Sequence, residues 1–289
     1  MKLGLGTVQF GLPYGIANQQ PQTSFDEVQK IIDCAGVYNI DLLDTAVRYG
    51  DSEKVLGLIG VEDFKLVTKL HSVPEEEYCN MYEWICQTVR ESLIKLNVKN
   101  IYGLLLHRPL DLLGNNGDQL YQALLNIKND KIVDKIGISV HNPDEIGILY
   151  EKFDFDIIQA PFNLFDRRLY NSGWMDRISK DGKELHVRSI FLQGILLQEW
   201  KDLPKKFHRW SELWIKYDNW LIEREITKLE ACLGFVSSFH EINYGLVGVN
   251  NMGHLIDILG AKNNSKLCVP DDIQSYDTDL LDPQAWLII

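Results

Sequence analysis

Cysteine is scarce in this sequence. The five that occur, Cys34, Cys79, Cys86, Cys232 and Cys268, form neither a CxxC pair nor a Cys/His cluster with metal-ligand spacing. That excludes a disulfide framework and a zinc ribbon. The thiols are read as reduced, with Cys34 and Cys232 on packed helix faces, and no metal site is expected. Positive charge is short as well: 29 Lys and Arg against 41 Asp and Glu give a net charge of −12. This balance argues against nucleic acid or an anionic membrane as a partner. The only adjacent basic pairs are Arg167-Arg168 and Lys205-Lys206. No apolar run approaches the ~20 residues that span a bilayer. The opening MKLGLGTVQFG is interrupted by glycines and has no small-residue cleavage site after it, so it is not a signal peptide. These absences predict a cytoplasmic protein, for which the Asn263-Asn264-Ser265 sequon has no meaning. A GxGxxG turn is missing too, since Gly4, Gly6 and Gly11 do not give that spacing, which argues against a doubly wound dinucleotide fold.

What is present is ordinary globular composition, 45% hydrophobic and 24% charged, over 289 residues. Short apolar runs predict strands at 3–8, 40–44, 64–70, 101–107, 135–140, 155–160, 184–190 and 244–249. Between them lie helical patterns. The first follows a glycine-rich loop at 9–20 and opens with a capping box from Ser24 to Glu27. Others are expected at 52–59, 81–96, 118–129, from Asn142-Pro143 onward, at 166–179, at 221–239, and at 251–259 with Gly260 as its stop. Most strand runs are apolar throughout, as when both faces are buried. Eight such units without a composition break predict an α/β protein, a single (β/α)8 TIM barrel of parallel strands ringed by helices, spanning 1–289. Two stretches stand apart. An aromatic-rich excursion at 194–219 holds Trp200, Trp210 and Trp214, read mainly as helix packing. A C-terminal tail at 261–289 has no periodicity.

In such a barrel the active site forms at the carboxyl ends of the strands. The second strand ends at Asp44 and leads to Tyr49, the third ends at Thr68-Lys69 and the fourth at His107. The fifth carries Ser139, the sixth Gln159, the seventh Arg188-Ser189, and the eighth runs out at Gly248 before Asn250 and Asn251. Each has a plain structural explanation: a capping aspartate and an exposed tyrosine, a snorkelling lysine, a core histidine, a satisfied amide. Together they predict a polar pocket. A free phenol titrates near pH ~10. A buried ammonium beside it favours the phenolate, and an aspartate keeps that ammonium charged and aimed. Asp44, Lys69 and Tyr49 then form a proton donor usable near neutral pH, with His107 hydrogen-bonding the substrate oxygen. This kit suits interconversion of a carbonyl and an alcohol and lacks only a hydride source, so it calls for a cofactor.

The residues that carry this reading resemble the aldo-keto reductase family over nearly the whole chain. LGLGTVQFG at 3–11, DTAVRYGDSE at 44–53, LVTKL at 66–70, LLLHRP at 104–109 and LVGVNN at 246–251 carry the likeness, which is closest to a bacterial branch with LGTVQFG and RSIFLQG segments. The resemblance implies a (β/α)8 barrel that reduces aldehydes or ketones with NADPH or NADH. It implies Asp44, Tyr49, Lys69 and His107 as the catalytic four. As cofactor contacts it implies Gly6, Thr7 and Asp44 at the ribose, Ser139, Asn142 and Gln159 at the carboxamide, and Arg188 and Ser189 at the end of the seventh strand. Gly248, Asn250, Asn251 and His254 follow at the last strand–helix junction. There, members that prefer NADPH commonly present a lysine or arginine to the 2′-phosphate. This chain has none, leaving the choice between NADP and NAD open. The expected partner is a small-molecule carbonyl substrate, sugar-derived by the weaker analogy of the branch, with Phe10 and Tyr14 lining its pocket. Gly50 to Glu53 are expected only to turn the chain and start a helix. Two other readings stand: a cofactor-binding regulatory or interaction subunit, and an isomerase or dehydratase using the same acid–base pair.

Overall fold

The first strand begins at the second residue because Lys2–Gly6 is apolar except at its exposed lysine. In the computed structural model, which describes residues 1–17, 20–261 and 267–287, it is followed by seven more. They are β1 Lys2–Gly6, β2 Leu42–Asp44, β3 Lys65–Leu70, β4 Ile101–Leu106, β5 Val133–Ser139, β6 Ile157–Pro161, β7 Glu184–Arg188 and β8 Tyr244–Gly248. All pair in parallel and in chain order, and β1 pairs with both β2 and β8, so the barrel closes. Helices outside it cover the strands, as expected of a (β/α)8 barrel.

Two apolar layers hold this arrangement. Inside the barrel, Leu42, Val67, Leu105, Ile157, Tyr244 and Leu246 form one buried cluster from five of the strands. Outside it, the opposite strand faces join the helices in a much larger cluster that includes Leu43, Ile31, Val89, Leu124 and Leu185. Strands buried on both faces cannot alternate apolar with polar residues, which is why they read as continuous apolar runs. The register brings the strand ends level: Gly6 pairs with Asp44 and with Gly248, Ser139 with Gln159, and Pro161 with Arg188. A polar rim at that end follows from this register.

The structure departs from several expectations. Val8 leaves the strand and starts a single helical turn, Val8–Gly11, inside what reads as a loop. The Ser24–Glu27 capping box does not form. The Ser24 side chain makes no cap hydrogen bond, and Glu27 accepts instead from the backbone of Met252. The expected helix at 221–239 is two helices, Ser211–Arg224 and Lys228–Ser237. Glu225, at φ +53, ends the first, and a true capping box between Thr227 and Glu230 begins the second. The helix expected at 166–179 is likewise split at Gly173. Gly260 does not stop its helix, which runs Met252–Ala261. The excursion at 194–219 forms short 3-10 turns and most of the helix Ser211–Arg224. Trp214 packs on Phe165, and Trp210 faces Phe207. Of the tail, 262–266 and 288–289, and with them the sequon, lie outside the described residues. No described helix is long and apolar enough to cross a membrane.

Candidate active site

Lys69, the next-to-last residue of β3, is a lysine buried to 1% exposure. Such burial demands a counter-charge. Its Nζ donates to Asp44 Oδ2 at 2.5 Å and to the Thr45 carbonyl at 3.0 Å. The other Asp44 oxygen accepts from Gln159 Nε2 at 2.7 Å, and Ser139 Oγ donates to Gln159 Oε1 at 2.8 Å. Four strands, β2, β3, β5 and β6, are therefore joined by one hydrogen-bonded chain from Ser139 to Lys69. Burial alone would lower the lysine pKa, but the Asp44 carboxylate and the Tyr49 phenol outweigh it and hold the pKa above the usual value. The ammonium is a fixed charge at this site.

Tyr49 lies over that charge, its ring centroid 5.0 Å from Lys69 Nζ. His107, directly after β4, meets the tyrosine edge-on with ring centroids 5.9 Å apart. Burial pushes the His107 pKa down to about 3, helped by Lys69, Arg188, His141 and Arg48. The imidazole is neutral at any ordinary pH and offers a neutral N–H. His141, missed in the sequence because it adjoins rather than ends a strand, is held down to about 4 by burial and by Arg188.

Two glycines fix the tyrosine loop. A Cβ on Gly11 would stand 1.7 Å from the Tyr49 carbonyl oxygen, and one on Gly50, at φ +55, would stand 2.4 Å from the Gly11 carbonyl oxygen. The turns after β1 and β2 touch backbone to backbone there. Ser52 and Glu53 do more than open a helix. Both are buried; Ser52 Oγ donates to the Thr7 carbonyl at 2.9 Å. Glu53 accepts from Thr68 Oγ1 at 2.8 Å and from Ser92 Oγ at 3.2 Å. These bonds tie the loop to β1, β3 and an outer helix.

A cavity of about 690 Å³ opens over this end of the barrel. Of the expected site residues, Gly6, Thr7, Asp44, Tyr49, His107, Ser139, Gln159, Arg188, Ser189, Gly248, Asn250 and His254 line it. Lys69 lies beneath, behind Asp44 and Tyr49. Asn142 and Asn251 are not on its wall. Asn142 accepts from Arg168 Nη1 and from the Asp144 N–H, and Asn251 Oδ1 accepts from the His254 N–H. Tyr14 lines the cavity as expected, whereas Phe10 is fully buried in the core, because its one-turn helix points it inward. No tryptophan is on the wall. Leu197 and Gln198 from the excursion are there instead, with Gln193 preceding them. Gln9 was missed altogether. It lines the cavity, its amide nitrogen stands 2.5 Å from where a Gly248 Cβ would be, and its buried Oε1 has no partner among the described residues. No motif marks such a glutamine; only the closed barrel brings residues 9 and 248 together.

Whether this cavity fits a dinucleotide is tested by its volume and its unmet polarity. About 690 Å³ falls within the roughly 300–1,000 Å³ of small-molecule and cofactor sites. Gln9 Oε1 presents an acceptor with nothing yet to accept from. Gly6 leaves β1 open, since a Cβ there would meet no atom closer than 3.8 Å. The residues fit such a ligand. Among the described residues no group of three or more His, Cys, Asp or Glu is placed to hold a metal ion.

A model of the aldo/keto reductase family matches residues 2–277. Among solved structures, the chain is similar to the aldo-keto reductase AKR11C1 from Bacillus halodurans in its holo form. The two share 18% identity and a TM-score of 0.70 over 92% of this chain and 88% of that one. It is also similar to the glycerol dehydrogenase AKR11B4 from Gluconobacter oxydans, at 20% identity and a TM-score of 0.69 over 92% and 87%. At such identities the likeness to these structures carries the fold. No curated protein sequence matches the chain.

Proposed function

Because the chain belongs to the aldo/keto reductase family of oxidoreductases, we propose that it reduces an aldehyde or ketone with a nicotinamide dinucleotide, NADPH or NADH, and that Tyr49 is the proton donor. The observation that carries this reading is the charged, buried Lys69, anchored by Asp44 and lying 5.0 Å from the Tyr49 ring on the floor of the cavity. The dinucleotide, when bound, supplies the hydride. Gly6, Thr7, Ser139, Gln159, Arg188, Ser189, Gly248, Asn250 and His254 are the wall residues proposed to hold it.

The chain's own residues then have the following work. Tyr49 gives its hydroxyl proton to the carbonyl oxygen, and water later returns one to the phenolate. Lys69 stabilises the negative oxygen that Tyr49 is left with. Asp44 keeps Lys69 charged and, through Gln159 and Ser139, immobile. His107, neutral, donates an N–H to the carbonyl oxygen as charge develops there without competing for the proton. A sugar-derived carbonyl is the proposed substrate class. Its hydroxyl groups suit a wall that carries Tyr14, Gln193 and Gln198. The test is consumption of NADH and NADPH by the purified protein over a panel of aldehydes, ketones and sugar-derived carbonyls. Turnover that yields the alcohol is expected. Tight nucleotide binding with no turnover on any member would overturn the enzymatic reading in favour of a regulatory subunit.

A further inference from the structure

His141 lines the cavity but has no part in the reaction proposed above. The register of β4 and β5 sets Leu106 level with Ile138, so His107 and Ser139 leave their strands side by side. Ser139 and His141 both line the cavity, and Val140 between them is fully buried. The two-residue period of β5 therefore continues past its end. It puts His141 on the cavity side, one step nearer the mouth than Ser139. The turn is anchored on both sides of the histidine. The Val140 N–H donates to the Gln159 carbonyl at 2.9 Å, and the Asn142 N–H donates to Glu145 Oε1 at 3.2 Å. Arg188 decides which ring nitrogen of His141 carries a proton. Its Nη2 donates to the Val140 carbonyl at 2.9 Å and stands 3.4 Å from His141 Nδ1. A guanidinium is always charged and only donates, so Nδ1 is the bare, accepting nitrogen. Burial, and after it Arg188, lower the His141 pKa to about 4 against the pull of Asp282. The ring is neutral at ordinary pH, with its one proton on Nε2. The exposed amide of Gln284 lies 3.3 Å from both ring nitrogens. Turned over about its last bond, it presents an oxygen to the Nε2–H. It marks the place that a ligand oxygen can take.

We propose that His141 is a specificity-determining residue whose Nε2–H donates to a substrate hydroxyl one or two carbons from the carbonyl that Tyr49 protonates. The inference rests on the reductase reading above and names the feature of a sugar-derived carbonyl that the site reads. His107 and His141 are two neutral N–H donors on neighbouring strands, which lie about 4.8 Å apart. One reaches the carbonyl oxygen and the other an oxygen close by on the same short chain. Arg188, by fixing the tautomer, keeps the second donor aimed before the substrate arrives. An aldehyde without that hydroxyl leaves the His141 N–H without its partner. A neutral hydrogen bond of this kind is worth about tenfold in discrimination.

The experiment measures kcat/KM of the full chain, with NADH and with NADPH, on three matched aldehydes: propanal, 2-hydroxypropanal and 3-hydroxypropanal. It compares the native protein with His141→Phe, which keeps a flat ring and removes the donor, and with His141→Asn, which keeps an N–H. Circular dichroism checks the fold of both variants. The native protein is expected to prefer at least one hydroxyaldehyde over propanal by about tenfold. His141→Phe is expected to lose that ratio, and His141→Asn to keep part of it. A native ratio near one for both hydroxyaldehydes, or a native ratio retained by His141→Phe, overturns the role of His141 and leaves the reductase reading in place. So does absence of turnover on all three aldehydes when other carbonyl compounds are reduced. Absence of turnover on every carbonyl compound overturns both.

Discussion

Replacing Lys69 by methionine keeps the length and apolar character of the side chain and removes one charge. Asp44, 5% exposed, then retains among the described residues Gln159 Nε2 as its side-chain donor, at 2.7 Å. Breaking a buried pair by deleting one partner costs about 3–5 kcal/mol, because a charge is left buried without compensation. The lower end applies here, since one strong hydrogen bond remains. Stability of Lys69→Met should therefore fall by about 3 kcal/mol at neutral pH. Pairing the change with Asp44→Asn removes the stranded charge, so the double variant should regain at least half of the loss. Turnover behaves differently. Both variants lack the ammonium proposed to support Tyr49, and both should lose about 10²–10⁴-fold in kcat, the range for a lost acid–base contribution. Urea unfolding gives the first quantity and steady-state kinetics the second. A Lys69→Met protein as stable as the native one, or a double variant no more stable than Lys69→Met, would refute the electrostatic account of this pair. Native-like kcat in either would refute the catalytic one.

The two histidines of the cavity predict a pH effect. The pKa values of His107 and His141 are pushed from 6.5 to about 3 and about 4 in the folded protein, so below pH 6.5 the unfolded chain binds protons that the folded one refuses. Their contribution is complete above pH 6.5 and is lost as pH falls toward those lower values. Replacing both with glutamine should flatten the decline of stability across that window, measured by urea unfolding at each pH. His107 should also give no inflection in kcat between about pH 5 and 8. Gly11→Ala places a methyl where the Tyr49 carbonyl stands, 1.7 Å away. Overpacking of this kind costs about 1–3 kcal/mol. The shift falls on the loop that carries the proposed donor Tyr49, so activity should drop well beyond what the lost stability explains, with the circular dichroism of the barrel retained.

The candidate-site end of the barrel was legible because Asp44, Lys69 and His107 each fall where a strand ends. Asp44, Lys69 and His107 interrupt apolar runs at points where the chain must turn, and parallel register brings such points to one rim. The chain 139–159–44–69 joins residues on four strands, and of its links only Asp44 to Lys69 was expected from the sequence. Local motifs misled where a distant partner was better. Ser24 and Glu27 have capping-box spacing, but Glu27 is drawn to Met252, 225 residues away. The opposite error occurred at Thr227, where a real Thr-x-x-Glu box was passed over inside a long apolar pattern and two helices read as one. Gln9 and His141 carry no local signal, since their place on the wall depends on how loops fold over the rim. Phe10 shows the same limit: one turn of helix directs it into the core.

Tyr49 is proposed to give the proton and to do nothing essential for binding. Its most direct test compares Tyr49→Phe with the native protein on the best substrate from the carbonyl panel. Nucleotide affinity and turnover should be measured on the same preparation. Unchanged affinity is expected with kcat down by at least about 10²-fold, the low end for a lost general acid. Reduction at the native rate by Tyr49→Phe would contradict it.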